Sequence, residues 1–183
     1  MPVVISLLRA VNVGGHNQIK MDALRALYES LKLRNPQTYV QSGNVVFQTD
    51  SADLAKLAKK IEDSIERQFG IRPAVILRTA AEIRDAIARN PFDKRSAIDP
   101  AKLLVAFLAA DPAAEARDKL LAIECRPDEM HFSGRELYIY FPNGMGHPKL
   151  KWPQVDKALK LPYTGRNWNT VIKLLEIAES LGA

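Results

Sequence analysis

Residues 38–47 read Thr38-Tyr39-Val40-Gln41-Ser42-Gly43-Asn44-Val45-Val46-Phe47, so two runs rich in β-branched and aromatic residues flank a polar turn. This pattern predicts a β-hairpin with a tight turn at residues 41–44. An apolar run at residues 3–8 and apolar residues at helical spacing over 21–31 precede the hairpin. The hairpin is therefore predicted to supply the second and third strands of a unit that begins with a strand and a helix.

The residues after the hairpin complete this unit. Asp50 or Ser51 can cap a helix that Gly70 ends, and residues 74–78 form a further strand. The order is β-α-β-β-α-β, which is that of the ferredoxin-like fold. We predict that residues 1–78 form this first subdomain.

The rest of the chain repeats part of the same order. A capping box, Thr79-Ala80-Ala81-Glu82, opens a short helix, and this helix and a loop connect the halves over residues 79–101. Residues 102–183 predict a related β-α-β-β unit followed by two C-terminal helices, at 151–160 and 168–181. The fold class is therefore α+β with two subdomains, which an old duplication would explain. A single continuous sheet shared by both halves is the alternative.

The composition fits a globular protein in a reducing compartment. The chain has 183 residues, 47% of them hydrophobic and 26% charged, which suffices for two small folded units without disulfides. Cys125 is the only cysteine, and a buried apolar role is favoured for it over that of a nucleophile. There is no basic leader, and no apolar run approaches the ~20 residues that cross a bilayer. We expect a cytoplasmic protein without a membrane partner.

The positive charge is concentrated near the end of the chain. The net charge is +5, and residues 149–173 contain six basic residues and only one acidic residue, Asp156, so this segment carries the whole excess. Such a segment attracts phosphates or acidic partners. A solvated helix face would account for it equally well.

Two polar loops are predicted to meet at one end of the first sheet. Residues 9–17 contain two glycines and lead to a helix, so their backbone amides could bind an anion or could simply make a long connection. In a β-α-β-β unit, the end of the first strand and the hairpin turn lie at the same end of the sheet. Turn formation would explain Asn44, but it does not require Arg9 or Asn12. The candidate ligand-binding residues at this edge are Arg9, Asn12, Ser42 and Asn44.

A second dense polar motif, Thr164-Gly165-Arg166-Asn167-Trp168-Asn169-Thr170, precedes the last helix. Trp168 could stack on a base or sugar, or it could dock the helix, with Asn167 or Asn169 as the N-cap. A guanidinium beside the positive end of a helix dipole is poorly placed without an anion. Four residues of this motif are candidate ligand contacts: Arg166, Asn167, Trp168 and Asn169.

A glycine-containing loop at residues 142–149 leads into a basic helix. It could form an amide nest for phosphate with Lys149 beside it, or it could be a plain turn. No histidine and carboxylate stand at metal-ligand spacing, so we predict no metal. The glycine loops match neither the P-loop nor the dinucleotide motif, and we predict no cofactor. No spacing identifies catalytic residues, so enzymatic activity stays open.

Three segments in order resemble the bacterial family known as domain of unknown function 1697. They are residues 7–15, residues 38–47 and residues 166–170, and the resemblance runs from the first strand to the last helix. The family usually has Gly-Ile where this chain has Ala10-Val11, and often serine where Pro148 stands, which weakens the phosphate-nest interpretation. The resemblance implies an α+β fold with ferredoxin-like halves and no known activity. It implies recurring polar positions at Arg9, Asn12, Ser42, Asn44, Arg166, Asn167 and Asn169.

Three functions are compatible with these features. The leading hypothesis is a binding module for a phosphate-bearing anion, with nucleic acid the favoured class, because of the basic segment and Trp168. The sheet strands, however, lack the aromatic ladder of an RNA-recognition domain. The alternatives are a small-molecule enzyme with a cleft between the subdomains, and a protein-interaction domain whose polar motifs are structural. The sequence does not predict the oligomeric state.

Overall fold

The apolar run at the start of the chain forms a central strand, because a strand paired on both sides and covered on both faces requires apolar side chains. All six residues of this strand, β1 (Val3–Leu8), are buried. The computed structural model describes residues 1–183. The elements that accompany β1 are α1 (Met21–Ser30), β2 (Arg34–Tyr39), β3 (Asn44–Gln48), α2 (Leu54–Phe69), β4 (Val75–Thr79) and α3 (Ala80–Ala88). The strands pair antiparallel in the order β2-β3-β1-β4, as the ferredoxin-like prediction requires.

The two long helices of this unit cover one face of its sheet. Leu24 and Tyr28 of α1 and Ile61 of α2 are buried in one apolar cluster with Phe47 of β3. The ring of Tyr28 meets that of Phe47 edge-on, with centroids 5.4 Å apart. The buried hydroxyl of Tyr28 is satisfied by the Ser6 hydroxyl of β1 at 2.7 Å. The two predicted helices, α1 and α2, therefore pack on the sheet through the apolar faces that their sequence patterns indicate.

Local signals at the helix ends are largely confirmed. Gly70 ends α2 in the left-handed conformation at φ 72°. The Thr79 hydroxyl accepts from the Glu82 N–H at 3.1 Å and the Glu82 carboxylate accepts from the Thr79 N–H at 2.8 Å, which is the predicted capping box. The predicted N-cap of α2, Asp50 or Ser51, was wrong by two or three residues. The N-cap is Asp53, whose side chain accepts from the Lys56 N–H at 2.9 Å.

The second half of the chain builds a separate sheet with the same topology. Its elements are β5 (Leu103–Leu108), α4 (Ala114–Leu121), β6 (Glu129–Ser133), β7 (Glu136–Tyr140), α5 (Trp152–Leu159), β8 (Tyr163–Asn167) and α6 (Trp168–Gly182). The strand order is β6-β7-β5-β8, and all pairs are antiparallel. The prediction of two α+β subdomains is therefore confirmed, and the alternative of one continuous sheet is wrong.

The prediction of the second unit as β-α-β-β plus two helices missed β8. This strand pairs with β5 from Leu104 opposite Asn167 to Leu108 opposite Tyr163, and so satisfies the second edge of the central strand. Its sequence gives no strand signal because Gly165 interrupts it. A Cβ at Gly165 would lie 2.9 Å from Leu104 Cδ2, so glycine here reflects close packing against β5.

The chain divides into two units that differ from the predicted segments at the C-terminal end. Unit 1 comprises Met1–Arg84 and Lys173–Ala183, and unit 2 comprises Asp85–Ile172. The last helix turns of α6 group with unit 1, although the sequence placed all of residues 102–183 in the second subdomain. None of the helices combines the length and apolar character needed to cross a bilayer.

Candidate functional site

The loop after β1 and the hairpin turn meet at one edge of the unit 1 sheet, as the topology predicted. The Asn12 amide donates to the carbonyl of Gln41 in the turn at 2.6 Å and to that of Ile19 at 3.0 Å. Its oxygen accepts from the Ile19 N–H at 2.7 Å. Both amide hydrogens of Asn12 are thus used to tie the two loops together, which is a structural task.

The hairpin turn uses its own polar residues in the same way. Asn44 is buried, and its amide donates to the Tyr39 carbonyl and to the Ser42 hydroxyl, each at 2.9 Å. Gly43 adopts φ 82°, and a Cβ there would lie 2.8 Å from Leu8 Cβ. The turn therefore requires glycine, and Asn44 and Ser42 brace it.

Arg9 lies half-buried where β1 ends, and its N–H donates to the Ala74 carbonyl at 2.9 Å. It lines a shallow pocket with Asn17 and Arg72. The Arg72 guanidinium is already held by Asp63 at 2.5 Å and Glu66 at 2.8 Å. The positive charge that faces this pocket is therefore partly neutralised by carboxylates of α2.

Arg166 lies within β8, two residues before α6 begins. It is 7% exposed, and its Nη1 donates to the Thr164 hydroxyl at 2.7 Å and to the Gly165 carbonyl at 2.9 Å. Burial lowers the pKa of Arg166 to about 10, which still leaves the side chain charged at neutral pH. Arg166 belongs to unit 2 and Arg9 to unit 1.

Asn167 is the residue that caps α6. Its side-chain oxygen accepts from the Asn169 N–H at 2.9 Å, and its amide donates to the Ala101 carbonyl at 2.9 Å. Trp168, the first residue of α6, is half-buried, and Asn169 is exposed. Asn169 is therefore the most exposed of the four candidate residues in this motif, and Asn167 and Trp168 keep partial exposure.

The loop that leads to α5 is an amide nest filled by a carboxylate of the protein itself. The Lys149 and Leu150 N–H groups donate to Asp128 Oδ2 at 2.7 and 2.9 Å. Gly144, at φ 85°, forms a turn in which its N–H donates to the Phe141 carbonyl at 2.8 Å. Because the Lys149 and Leu150 amides hold Asp128, they are not available to an external phosphate.

The basic segment keeps four lysines on the surface of unit 2. Their side chains are exposed and make no ion pair or side-chain hydrogen bond: Lys149, Lys151, Lys157 and Lys160. The other two basic residues of the predicted segment are engaged, since Arg166 is buried and Lys173 pairs with Glu176 at 3.1 Å. We call these four residues the lysine surface.

The sheets offer no row of exposed aromatic residues for base stacking. Phe47, Tyr138 and Tyr140 are buried, and Tyr39 and Phe132 are half-buried. The Tyr138 hydroxyl donates to the Ala86 carbonyl. Most aromatic residues of the strands therefore belong to packed interiors.

Sequence reasoning missed three buried charged residues, Arg78, Asp128 and Glu136. Arg78 is 1% exposed and occupies the fourth position of β4, opposite Ile5 of β1. Arg166 occupies the fourth position of β8, opposite Val105 of β5, and each arginine donates Nη1 to the carbonyl of the residue before it. The available signal for Arg78 was its position directly after the apolar run Val75-Ile76-Leu77, in the predicted strand at residues 74–78.

A family model described as "Protein of unknown function (DUF1697)" matches residues 1–138. The chain belongs to the DUF1697 family. This confirms the resemblance to the family, and the match includes residues 7–15 and 38–47, whereas residues 166–170 lie outside it.

The DUF1697 protein also shares its fold with a solved structure, the conserved bacterial protein SP0830 from Streptococcus pneumoniae. The identity is 20%, the TM-score is 0.74, and the match covers 98% of this chain and 99% of the other. No curated protein matches the sequence. The comparisons therefore establish the family and the fold.

Proposed function

We propose that this DUF1697 protein is a cytoplasmic binding module for a phosphate-bearing polyanion, with nucleic acid the favoured class. The observation that carries the proposal is the lysine surface, where four exposed lysines that form no ion pair lie within twelve residues that contain one acidic residue. A cluster of unneutralised ammonium groups releases counterions from a polyanion and binds it without reading its sequence. The single cysteine, which is free, fits a reducing compartment.

The position of these lysines favours recruitment of an anion over simple helix stabilisation. Lys157 and Lys160 lie at the carboxyl end of α5, where the helix dipole accommodates positive charge. Lys151, however, is the N-cap of α5, with no side-chain hydrogen bond to the first turn, and Lys149 precedes it. Positive charge at this end opposes the dipole; the Asp128 carboxylate already accepts from the backbone amides there, so an external anion would contact the lysine side chains.

Three acidic residues lie close to this surface, and the first, Asp128, accepts from the Lys149 and Leu150 amides. Asp156 accepts from the Tyr163 hydroxyl at 2.6 Å. The pKa of Glu115 is lowered mainly by its hydrogen bond with Lys119 and, to a smaller extent, by the charge of Lys160. Because stacking surfaces are buried, the binding we propose rests on phosphate contacts and is insensitive to base sequence.

The test is the binding of a single-stranded oligonucleotide followed by fluorescence anisotropy at several salt concentrations. Four phosphate contacts predict a slope of log Kobs against log salt of about −3. Replacement of all four lysines by glutamine should abolish most of the binding and flatten this slope.

The chain provides a matched control on α2. Lys56, Lys59 and Lys60 are also exposed lysines without partners, but they share their helix region with Asp53, Glu62, Asp63 and Glu66. Their replacement by glutamine should leave binding unchanged. If both sets weaken binding equally, or if the natural protein shows no salt-sensitive retention, the proposal is wrong and the structural role of the polar motifs is the better account.

A further inference from the structure

A buried carboxylate oxygen in unit 2 lacks a partner within the protein. Asp128 is 3% exposed, and its Oδ2 accepts from the Lys149 and Leu150 amides. Its Oδ1 is also buried but accepts no hydrogen bond from the protein. A buried carboxylate oxygen without a donor is costly, and it therefore marks a place where a donor is expected.

Asp128 also lines a pocket between the end of α4 and the start of β6. The pocket has a volume of about 310 Å³, which is of the size that accepts a small molecule. Its apolar walls are formed by Leu121, Ile123 and Met130, and Leu121 is 50% exposed although it is a large hydrophobic residue. The pocket thus combines an acceptor with a small apolar patch in a lining that is mostly polar.

The charges around this pocket favour a positive ligand. Glu124 and Glu129 line it together with Asp128, and Arg126 and His131 are the basic residues of the lining. Arg126 is largely exposed and lies 3.7 Å from Glu124, and Glu129 pairs with Arg95 at 2.7 Å. The charge of Asp128 is the one in this lining that has no cationic partner.

Two further features also favour a positively charged ligand in this pocket. The carboxyl end of α4, where the helix dipole is negative, contributes Leu121 to the pocket. The pKa of Cys125 is raised, first by burial and then by the negative charges of Asp128 and Glu124.

We propose that this pocket binds a primary alkylammonium group. Its N–H donates to Asp128 Oδ1 once the atoms that cover this oxygen move aside, and its alkyl chain lies on Leu121, Ile123 and Met130. The ligand class is a small amine, such as a diamine or a lysine-like side chain. The site differs from the lysine surface in the charge of its ligand, since it selects a cation and the lysine surface an anion, although the Lys149 amide holds Asp128.

The test uses n-butylammonium as the probe, with amide chemical shifts of Cys125, Asp128, Lys149 and Leu150 as the readout. Two matched probes separate charge from hydrogen bonding. Butyltrimethylammonium keeps the charge without an N–H donor, and n-butanol keeps a donor without the charge. Butylammonium should shift these amides saturably and at least about tenfold more tightly than either control probe, because hydrogen bonds to a buried charge are strong.

Two variants connect the shifts to the pocket. In Asp128→Asn, one oxygen can still accept from Lys149 and Leu150 while the other position becomes a donor, so butylammonium binding should be lost. Leu121→Asn changes an exposed residue and should weaken butylammonium binding several-fold while methylammonium binding changes little.

Three outcomes would overturn the proposal. The first is equal binding of all three probes, and the second is the absence of saturable shifts in the natural protein. The third is unchanged binding in Leu121→Asn, which remains decisive if Asp128→Asn does not fold. Failure of this site leaves oligonucleotide binding by the lysine surface untouched, so the two proposals fail separately.

Discussion

At the scale of single residues, the polar side chains that stand out in the sequence divide into structural and exposed groups. The side-chain amides of Asn12, Asn44 and Asn167 donate to backbone carbonyls. These hydrogen bonds hold separate chain segments together. Lys149 and its neighbours remain on the surface. The residue types alone did not distinguish these groups, because an amide that binds a ligand and one that binds a backbone carbonyl have the same identity.

Asn12 provides a direct measure of the structural role. Asn12→Ala removes three hydrogen bonds at a position with φ 56° and should lower the free energy of unfolding by about 2–4 kcal/mol. Asn12→Gly loses the same bonds but tolerates the backbone, and it should be less destabilised by about 1 kcal/mol. Urea denaturation measures both, and equal stability of the natural protein and the alanine variant would contradict the assignment.

Cys125 should be chemically protected in the folded protein. Its pKa is raised by burial and by nearby carboxylates, so less thiolate is present at a given pH. Alkylation by iodoacetamide at pH 8 should be at least about tenfold slower than in urea-unfolded protein. Because the folded state keeps this proton longer, the contribution of Cys125 to stability should fall as pH rises through the pKa of the unfolded thiol, ~8.5. A native rate equal to the unfolded rate would refute this.

At the scale of helices and strands, the sequence predicted helix ends correctly but did not predict one of the paired strands. The capping box at Thr79 and the glycine end of α2 depend on neighbours in sequence, and both are observed. Strand β8 depends on its register with β5, which is distant in sequence, and it was not predicted. The buried state of Arg166 follows from that strand, so the same omission hid both.

Gly165 tests the pairing of β8 with β5. Gly165→Ala should lower the free energy of unfolding by about 1–3 kcal/mol, because its Cβ would lie 2.9 Å from Leu104 Cδ2. Leu104→Ala should recover part of this loss in the double variant by a favourable coupling. Thermal or urea denaturation of the four proteins completes the cycle, and strictly additive losses would argue against the close contact.

The Thr79 capping box should contribute measurably to α3. Thr79→Ala is expected to lower the free energy of unfolding by about 1 kcal/mol, whereas Thr79→Ser keeps the hydroxyl acceptor and should remain close to the natural protein. Urea denaturation distinguishes the two variants. Equal losses would indicate that the methyl group, and not the hydroxyl, supplies the stability.

At the scale of the whole molecule, the sequence predicted the α+β class and the ferredoxin-like topology of the first unit. It did not predict that the second unit has the same strand order, nor that Lys173–Ala183 group with the first. Within unit 1, the Gln48 amide donates to the Leu181 carbonyl and Arg84 pairs with Glu179 at 3.0 Å. Such contacts join residues 95 or more positions apart and leave no local pattern.

Removal of residues 173–183 should weaken unit 1. Leu174 and Ala178 are buried in the folded chain, and their loss exposes apolar surface. Hydrogen exchange at the amides of β1 and β3 should become faster in the truncated protein. Leu174→Ala is the milder companion, with an expected loss of about 2–5 kcal/mol. Unchanged protection of β1 in both proteins would contradict the grouping of these residues with unit 1.

The discontinuous first unit constrains the order of events during synthesis on the ribosome. When residue 84 has been added, the last eleven residues that group with the first sheet have not been made. Domains commonly fold as their chain emerges, N-terminal part first. In this protein, unit 1 is complete only after the ribosome has synthesised the whole of unit 2.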